Sequence, residues 1–174
     1  PSTSFAAMTE SLPVGTSKVY EMLPDTTHFA ISIPIKLEEY RSSREALLDA
    51  SVKLTAYKKD IEALRKQTGK SPLNWEKELD IQEIAIARWE DQEILLARSG
   101  KKVSDSSIED NPYSGFISLL YGDAFRIKDE SCHAIYSSWH LFGSKDALES
   151  FINYPDRITN PELHDIKCHL TVLN

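Results

Sequence analysis

The chain has 174 residues, of which 41% are hydrophobic and 27% charged, and its formal net charge is −7. This length and composition are typical of one globular domain with a sizeable core. Nucleic-acid binding usually depends on a clustered basic surface, so the acidic balance argues against a nucleic-acid partner.

The sequence also carries no membrane or secretion signal. No stretch approaches the roughly 20 consecutive apolar residues of a membrane-spanning helix, and we expect no membrane association. Residues 1–25 lack the basic and apolar regions of a signal peptide. This favours a cytoplasmic location, although a signal peptide cleaved before residue 1 would leave the same sequence. The two cysteines, Cys132 and Cys168, do not make a disulfide scaffold, and we expect buried free thiols.

The first part of the chain predicts an arm, a strand and a long helix. Residues 1–26 are rich in Ser, Thr and Pro and predict an extended N-terminal arm. Residues 28–35 alternate between apolar and small or polar side chains, and this period of two predicts a strand. Residues 37–67 repeat apolar side chains every seven residues, beginning with Tyr40 and Leu47, and predict one helix with a heptad seam.

The middle of the chain predicts a second helix over residues 74–99. Its apolar side chains cover more than one stripe of the helix, so we expect it to contact two partners. Together with the first helix it would form a long helical hairpin, residues 37–99. Residues 101–113 are polar and predict a loop.

The remaining residues predict a strand, a second strand, a short helix and a last strand. These elements span residues 115–127, 133–142, 145–153 and 166–173 in turn, and Ser144 is the expected N-cap of the short helix. Strand, helix, strand, strand, helix, strand is the ferredoxin-like order. We therefore predict an α+β fold for residues 27–174, a single domain with a four-stranded antiparallel ferredoxin-like sheet and the helical hairpin inserted.

Two segments support a family resemblance. Tyr121-Gly122 and residues 138–155, which include Phe142-Gly143-Ser144 and Ala147-Leu148, resemble the stress-responsive dimeric α/β-barrel family. The resemblance covers less than half of the chain. It implies a homodimer, a small-molecule ligand held between a sheet face and the partner subunit, and chemistry without a cofactor.

The chain departs from this family at the positions that its polyketide-cyclising members use. Those members carry a tyrosine and a histidine around the second helix. Phe151 and Arg157 stand at the corresponding positions here. The cyclisation chemistry of those members therefore does not carry over.

The polar face of the predicted sheet holds the candidate chemistry. Alternation puts His28, Tyr136 and His140 on the face that points away from the helices. A histidine there can act as general acid or base, and a tyrosine can donate a hydrogen bond to a developing oxyanion. The candidate binding residues are Ser32, Ser138, Phe151, Arg157 and His169. The alternative is that this face is merely the solvated side of an antiparallel sheet.

Six potential metal ligands fall in the last third of the chain, namely Cys132, His133, His140, His164, Cys168 and His169. A zinc site needs convergent ligands, usually including a paired Cys-x2-Cys knuckle in small domains. No such pair is present, and the spacing of His164 and Cys168 fits a helix better than the strand predicted there. We therefore predict no metal.

These observations leave two functions open. The first is a small-molecule enzyme that performs cofactor-free acid–base chemistry, such as dehydration, cyclisation, decarboxylation or oxygenation, on an apolar organic substrate. The second is a non-catalytic dimeric interaction module, in which the heptad helix joins two protomers and the acidic surface meets a basic partner.

Overall fold

An antiparallel six-stranded sheet forms the middle of the protein. The structure, a computed structural model, describes residues 17–158. The strands are β1 (Thr27–Pro34), β2 (Ile81–Trp89), β3 (Gln92–Ser99), β4 (Glu109–Asp110), β5 (Cys132–Tyr136) and β6 (Trp139–Gly143). Their order across the sheet is β1-β2-β3-β6-β5-β4. The described residues therefore confirm an α+β fold, with six antiparallel strands where four were predicted.

Five α-helices accompany the sheet. They are α1 (Leu37–Ala50), α2 (Leu54–Thr68), α3 (Pro72–Leu79), α4 (Phe116–Tyr121) and α5 (Lys145–Asn153). Two short 3-10 helices span Val19–Met22 and Asp123–Phe125. The β1 strand and α5 match their predictions closely, and Ser144 caps α5 by accepting a hydrogen bond from the backbone N–H of Ala147 at 3.1 Å.

The central strands are buried on both faces. The front face of the sheet carries Ile84, Ile86 and Leu95, which pack against side chains of α2, α3 and α4. The back face carries Ala87 and Leu96, which pack against α5 and the segment that precedes β1. A sheet covered on both sides needs two apolar layers, one on each face, and each layer is built from a different part of the chain.

A buried carboxylate fastens the N-terminal segment to the back face. Glu83, on β2, accepts hydrogen bonds from the hydroxyls of Ser17 and Ser32 and from the backbone N–H of Lys18 at 3.0 Å. Arg98 Nε lies 3.3 Å from the same carboxylate. Residues 17–26 are therefore docked on the sheet.

The predicted helix 37–67 is two helices. The helices α1 and α2 are separated at Ser51–Lys53, where Val52 has a φ of 60° and its side chain is 90% exposed. The sevenfold repeat marks the apolar face of α2, where Tyr57 and Ile61 are buried. On α1 it fits poorly, since Leu48 packs on the core whereas Leu47 does not. A sevenfold repeat does not report the break, because it does not depend on whether the chain turns between repeats.

The prediction of one helix over residues 74–99 is wrong beyond Leu79. Asp80 adopts a left-handed conformation with φ 51°, which ends α3, and the chain continues as the hairpin of β2 and β3. Strands that are buried on both faces lose the alternation of apolar and polar residues. Their continuous apolar run therefore resembles that of a helix with two contact faces. The predicted helical hairpin, residues 37–99, is not present.

Two further elements differ from prediction. The predicted strand 115–127 is α4 followed by the 3-10 helix. The predicted strand 133–142 is the hairpin of β5 and β6, whose two turn residues, Ser137 and Ser138, have φ values of 50° and 67°. The predicted strand 166–173 lies outside the described residues.

The Glu83 cluster supports a test of how the N-terminal segment is held. Glu83→Gln removes the charge that Arg98 pairs with and one of the acceptors that hold residues 17–19. We expect the free energy of unfolding to fall by about 2–3 kcal/mol, measured by urea denaturation, and trypsin cleavage after Lys18 to become faster. The exposed Glu78→Gln on α3 is the control. Unchanged stability and unchanged cleavage in Glu83→Gln would contradict this role.

Candidate functional site

The three predicted catalytic residues lie in three different places. His28 is exposed at the start of β1, His140 is buried on the front face, and Tyr136 is half-buried in the back-face core. The register pairs Tyr136 with Trp139 and Ile135 with His140. A two-residue turn therefore reverses the alternation, so the predicted placement of Tyr136 and His140 on one face is wrong.

The predicted binding serines serve the fold. Ser32 is on the back face and donates its hydroxyl hydrogen to Glu83. Ser138 is in the turn between β5 and β6, and its carbonyl accepts a hydrogen bond from the backbone N–H of Ser99 at 3.1 Å. Neither serine lies beside His28 or His140.

The other predicted binding residues are also separate from the histidines. Phe151 is fully buried, and its ring centroid lies 5.6 Å from that of Trp89. Arg157 donates to the carbonyl of Met22 at 2.7 Å, and so links the end of α5 to the N-terminal segment. His169 lies outside the described residues, as does Cys168, whereas Cys132 is a half-buried free thiol.

Two buried histidines form a pair on the front face. His133 Nε2 lies 2.9 Å from His140 Nδ1, so one ring donates a hydrogen bond to the other. The two side chains are only 8% and 3% exposed. The rings of Trp75, Tyr113 and Phe142 contact them, and Phe116 packs behind on Trp75 and Tyr113. The pair arises because His133 and His140 sit diagonally across the β5–β6 hairpin, a relation that the sequence hides until the turn is known.

Burial keeps this pair uncharged. Desolvation lowers the pKa of His133 and of His140 to about 4, and for His140 the neighbouring His133 charge lowers it further. His140 Nε2 is buried and has no hydrogen-bond partner within residues 17–158. The pair is thus a neutral, aromatic-enclosed part of the core, and His140 does not reach the cleft that contains His28.

His28 lines an open cleft at one end of the sheet. The cleft has a volume of about 550 Å3. It is bounded by the start of β1, the turn between β2 and β3, the loop before β5 and the start of α5. Its lining residues are His28, Arg88, Glu90, Asp91, Gln92, Glu93, Lys128, Asp129, Ser144 and Ala147. It is therefore a polar cleft, whereas the sequence predicted a site that binds an apolar organic substrate.

The charges in this cleft do not balance. The Glu93 carboxylate already has two partners within the protein. It pairs with Arg88 Nε at 3.1 Å and accepts a hydrogen bond from the backbone N–H of Lys128 at 2.7 Å. Hydrogen bonds from Ser131 lower the pKa of Asp129, so this carboxylate is charged at neutral pH. Glu90, Asp91 and Asp129 then face the single cation of Lys128, and the cleft is acidic.

Within residues 17–158 no group of three or more His, Cys, Asp or Glu side chains is arranged to hold a metal ion, and no helix there has the length and apolar composition to cross a membrane. Comparison of the chain with protein families, curated proteins and solved structures yields no match.

The histidine pair makes the stability depend on pH. In the unfolded chain each histidine takes up a proton near pH 6.5, whereas in the folded protein the pKa is about 4. The contribution of the neutral pair to the free energy of unfolding is therefore complete above pH 6.5 and is lost as the pH falls towards 4. The loss is on the order of 3 kcal/mol per histidine. Urea denaturation between pH 4 and 7 measures this slope.

The double variant His133→Phe with His140→Phe should flatten the dependence of the free energy of unfolding on pH. The control is Phe116→Leu in the same cluster, which should lower the stability at every pH and leave that dependence unchanged. NMR of the imidazole protons gives a second measurement. Two rings that titrate near pH 6.5 in the folded protein would show that the pair is not held neutral.

Proposed function

We propose that this protein is a binding domain whose acidic cleft at His28 takes a positively charged group, an amine or a guanidinium, from a small molecule or from a basic protein segment. The supporting observation is the excess of carboxylates in that cleft. Glu90 and Asp91 project from the turn between β2 and β3, and both are exposed. They are free to meet a partner without disturbing the core.

The cleft offers two kinds of contact to such a group. Carboxylates attract a cation and accept its N–H hydrogens in charge-assisted hydrogen bonds. The His28 ring, exposed at the same edge, adds an imidazole nitrogen and a flat surface. The formal net charge of −7 over the chain attracts a basic partner from a distance and speeds its approach.

The acid–base enzyme predicted from the sequence is the second candidate, and the observation that favours it is the exposure of His28 within a cleft of this volume. A ligand site of several hundred Å3 is an ordinary size for a small molecule. The proposal of a shared site for His28, His140 and Tyr136 has no geometric support. An enzymatic role would rest on His28 with the carboxylates around it.

Agmatine, which carries one guanidinium and one amine, tests the binding proposal. We expect it to shift backbone NMR signals of the β2–β3 turn and of residues 128–129, and to bind in calorimetry. Glu90→Gln with Asp91→Asn should weaken binding about tenfold, since each exposed charge contributes on the order of 0.5–1 kcal/mol. Asp60→Asn on α2, an exposed carboxylate outside the cleft, is the control.

The same NMR experiment separates the two candidates. A set of small neutral aromatic compounds is titrated in parallel. Shifts at the His28 ring with those compounds, and none with agmatine, would favour the enzyme and overturn the cation-binding proposal. Equal weakening of agmatine binding by Asp60→Asn would show attraction to the overall charge and no defined site.

The homodimer is also retained as a proposal, on a different surface from the one the resemblance implied. Both faces of β2 and β3 are covered, so a second sheet has no open face to pack against there. Among the described strands β1 is an edge strand of eight residues, and its Phe29, Ile31 and Ile33 are only half-buried. A long edge strand with apolar side chains is a template for pairing with another chain.

Light scattering coupled to gel filtration tests this dimer. We expect a dimer mass at micromolar concentration and a monomer mass for Ile31→Lys, because a lysine on an edge strand opposes edge-to-edge pairing. Leu64→Lys is the control, since Leu64 is a half-buried apolar residue on α2. A monomer mass for the unmodified protein would reject the dimer.

A further inference from the structure

A largely exposed segment, residues 101–110, runs along the outer edge of β5. Residues 102–108 form no helix or strand, and β4 ends the segment with only two residues paired to β5. Before β4, the backbone N–H of Ser106 donates to the Ile135 carbonyl at 2.9 Å, and the Ile135 N–H donates to the Ser106 hydroxyl at 3.0 Å. Few hydrogen bonds therefore hold the segment, and a region of this kind opens locally at low free energy.

The Ser107 hydroxyl in this segment is open to a reagent from solution. Ser107 is exposed, and its hydroxyl donates to the Glu109 carboxylate at 3.2 Å. The neighbouring Ser106 hydroxyl is engaged twice, since it also donates to the Ser107 carbonyl at 3.1 Å. Of these two adjacent serines, Ser107 is the one whose oxygen binds no backbone group of the sheet.

Two carboxylates follow Ser107 closely along the chain. Glu109 and Asp110 stand two and three residues after it, both are exposed, and neither makes an ion pair within residues 17–158. The cations of the segment, Lys101 and Lys102, precede Ser107 by several residues. The chain on the carboxyl side of Ser107 thus presents uncompensated negative charge, which complements a basic groove.

We propose that Ser107 is a phosphorylation site for an acidic-directed protein kinase, whose basic substrate groove recognises carboxylates two and three residues after the serine. The Ser107 oxygen attacks the γ-phosphorus of ATP, and the bond from that phosphorus to the bridging oxygen of ADP breaks. The hydroxyl proton passes to the catalytic aspartate of the kinase. The site lies at the opposite edge of the sheet from β1 and does not depend on cation binding in the His28 cleft.

Phosphorylation of Ser107 weakens the pairing of β4 with β5. The phosphate carries a charge of about −1.5 to −2 at pH 7 and replaces a hydroxyl that now donates to Glu109. Like charges placed side by side repel, and β4 has two residues of pairing to resist this. Release of the segment leaves the Ile135 N–H without its partner and makes β5 an edge strand with which another chain can pair.

Treatment of the full chain with casein kinase II, an acidic-directed kinase, together with ATP and magnesium tests the site. Mass spectrometry of the peptides should find one phosphoryl group, on Ser107, and none in Ser107→Ala. Glu109→Gln with Asp110→Asn should slow the reaction about tenfold, because two exposed charges that the groove recognises are lost.

The matched control is Asp60→Asn with Glu78→Gln, which removes two exposed carboxylates from α2 and α3 and should leave the rate unchanged. Phosphorylation of Ser104 or Ser106 in place of Ser107 would overturn the assignment. So would a rate that does not respond to the loss of Glu109 and Asp110.

Hydrogen exchange followed by NMR measures the release of β4. After phosphorylation we expect the Ile135 N–H to exchange about tenfold faster, whereas the N–H groups of β2 should keep their rates. The Ser107→Ala chain, treated in the same way with the kinase, is the control and should show no change. A phosphorylated Ser107 with unchanged exchange at Ile135 would disprove the release of β4.

Discussion

Burial of the β2–β3 hairpin on both of its faces is the constraint on which the rest of the structure depends. Ile84, Ile86 and Leu95 point to one side, and Ala85 and Leu96 point to the other, all with almost no exposure. Two strands that are apolar on both faces need two covering layers. The helices α1 to α4 supply the front layer. The N-terminal segment and α5 supply the back layer.

Each layer is held in place by a buried polar group that makes specific hydrogen bonds. On the back face Glu83 binds the start of the described chain to the sheet. On the front face Glu76 binds α3 to α1 through Arg44. Apolar contacts alone would let the layers slide, since the hydrophobic effect is non-directional. Buried carboxylates tolerate few arrangements, because any shift leaves a charge without its partners.

The sites follow from the edges and corners that these layers leave. His28 is open to solvent because β1 is the outermost strand, and the acidic cleft forms where the turn of β2 and β3 projects beyond both layers. His140 was expected to do chemistry, but it lies under the front layer with His133 as its partner. The sequence named His28 as a candidate, and in the structure His28 lines the acidic cleft. It did not reveal the carboxylates around it, because they come from two segments far apart in the chain, the β2–β3 hairpin and the loop before β5.

The sequence by itself determined the features that depend on neighbouring residues. The alternation in 28–35 specified β1, and the Ser144 cap specified the start of α5. The sevenfold spacing specified the apolar face of α2, and Gly69, with φ 71°, ended α2 as expected. Only the tertiary structure decided that residues 81–99 are strands, because a continuous apolar run is compatible with a helix or with a strand covered on both sides. The two-residue turn at Ser137–Ser138 likewise decided which face His140 occupies, since a shift of one residue in a strand moves each side chain to the opposite face.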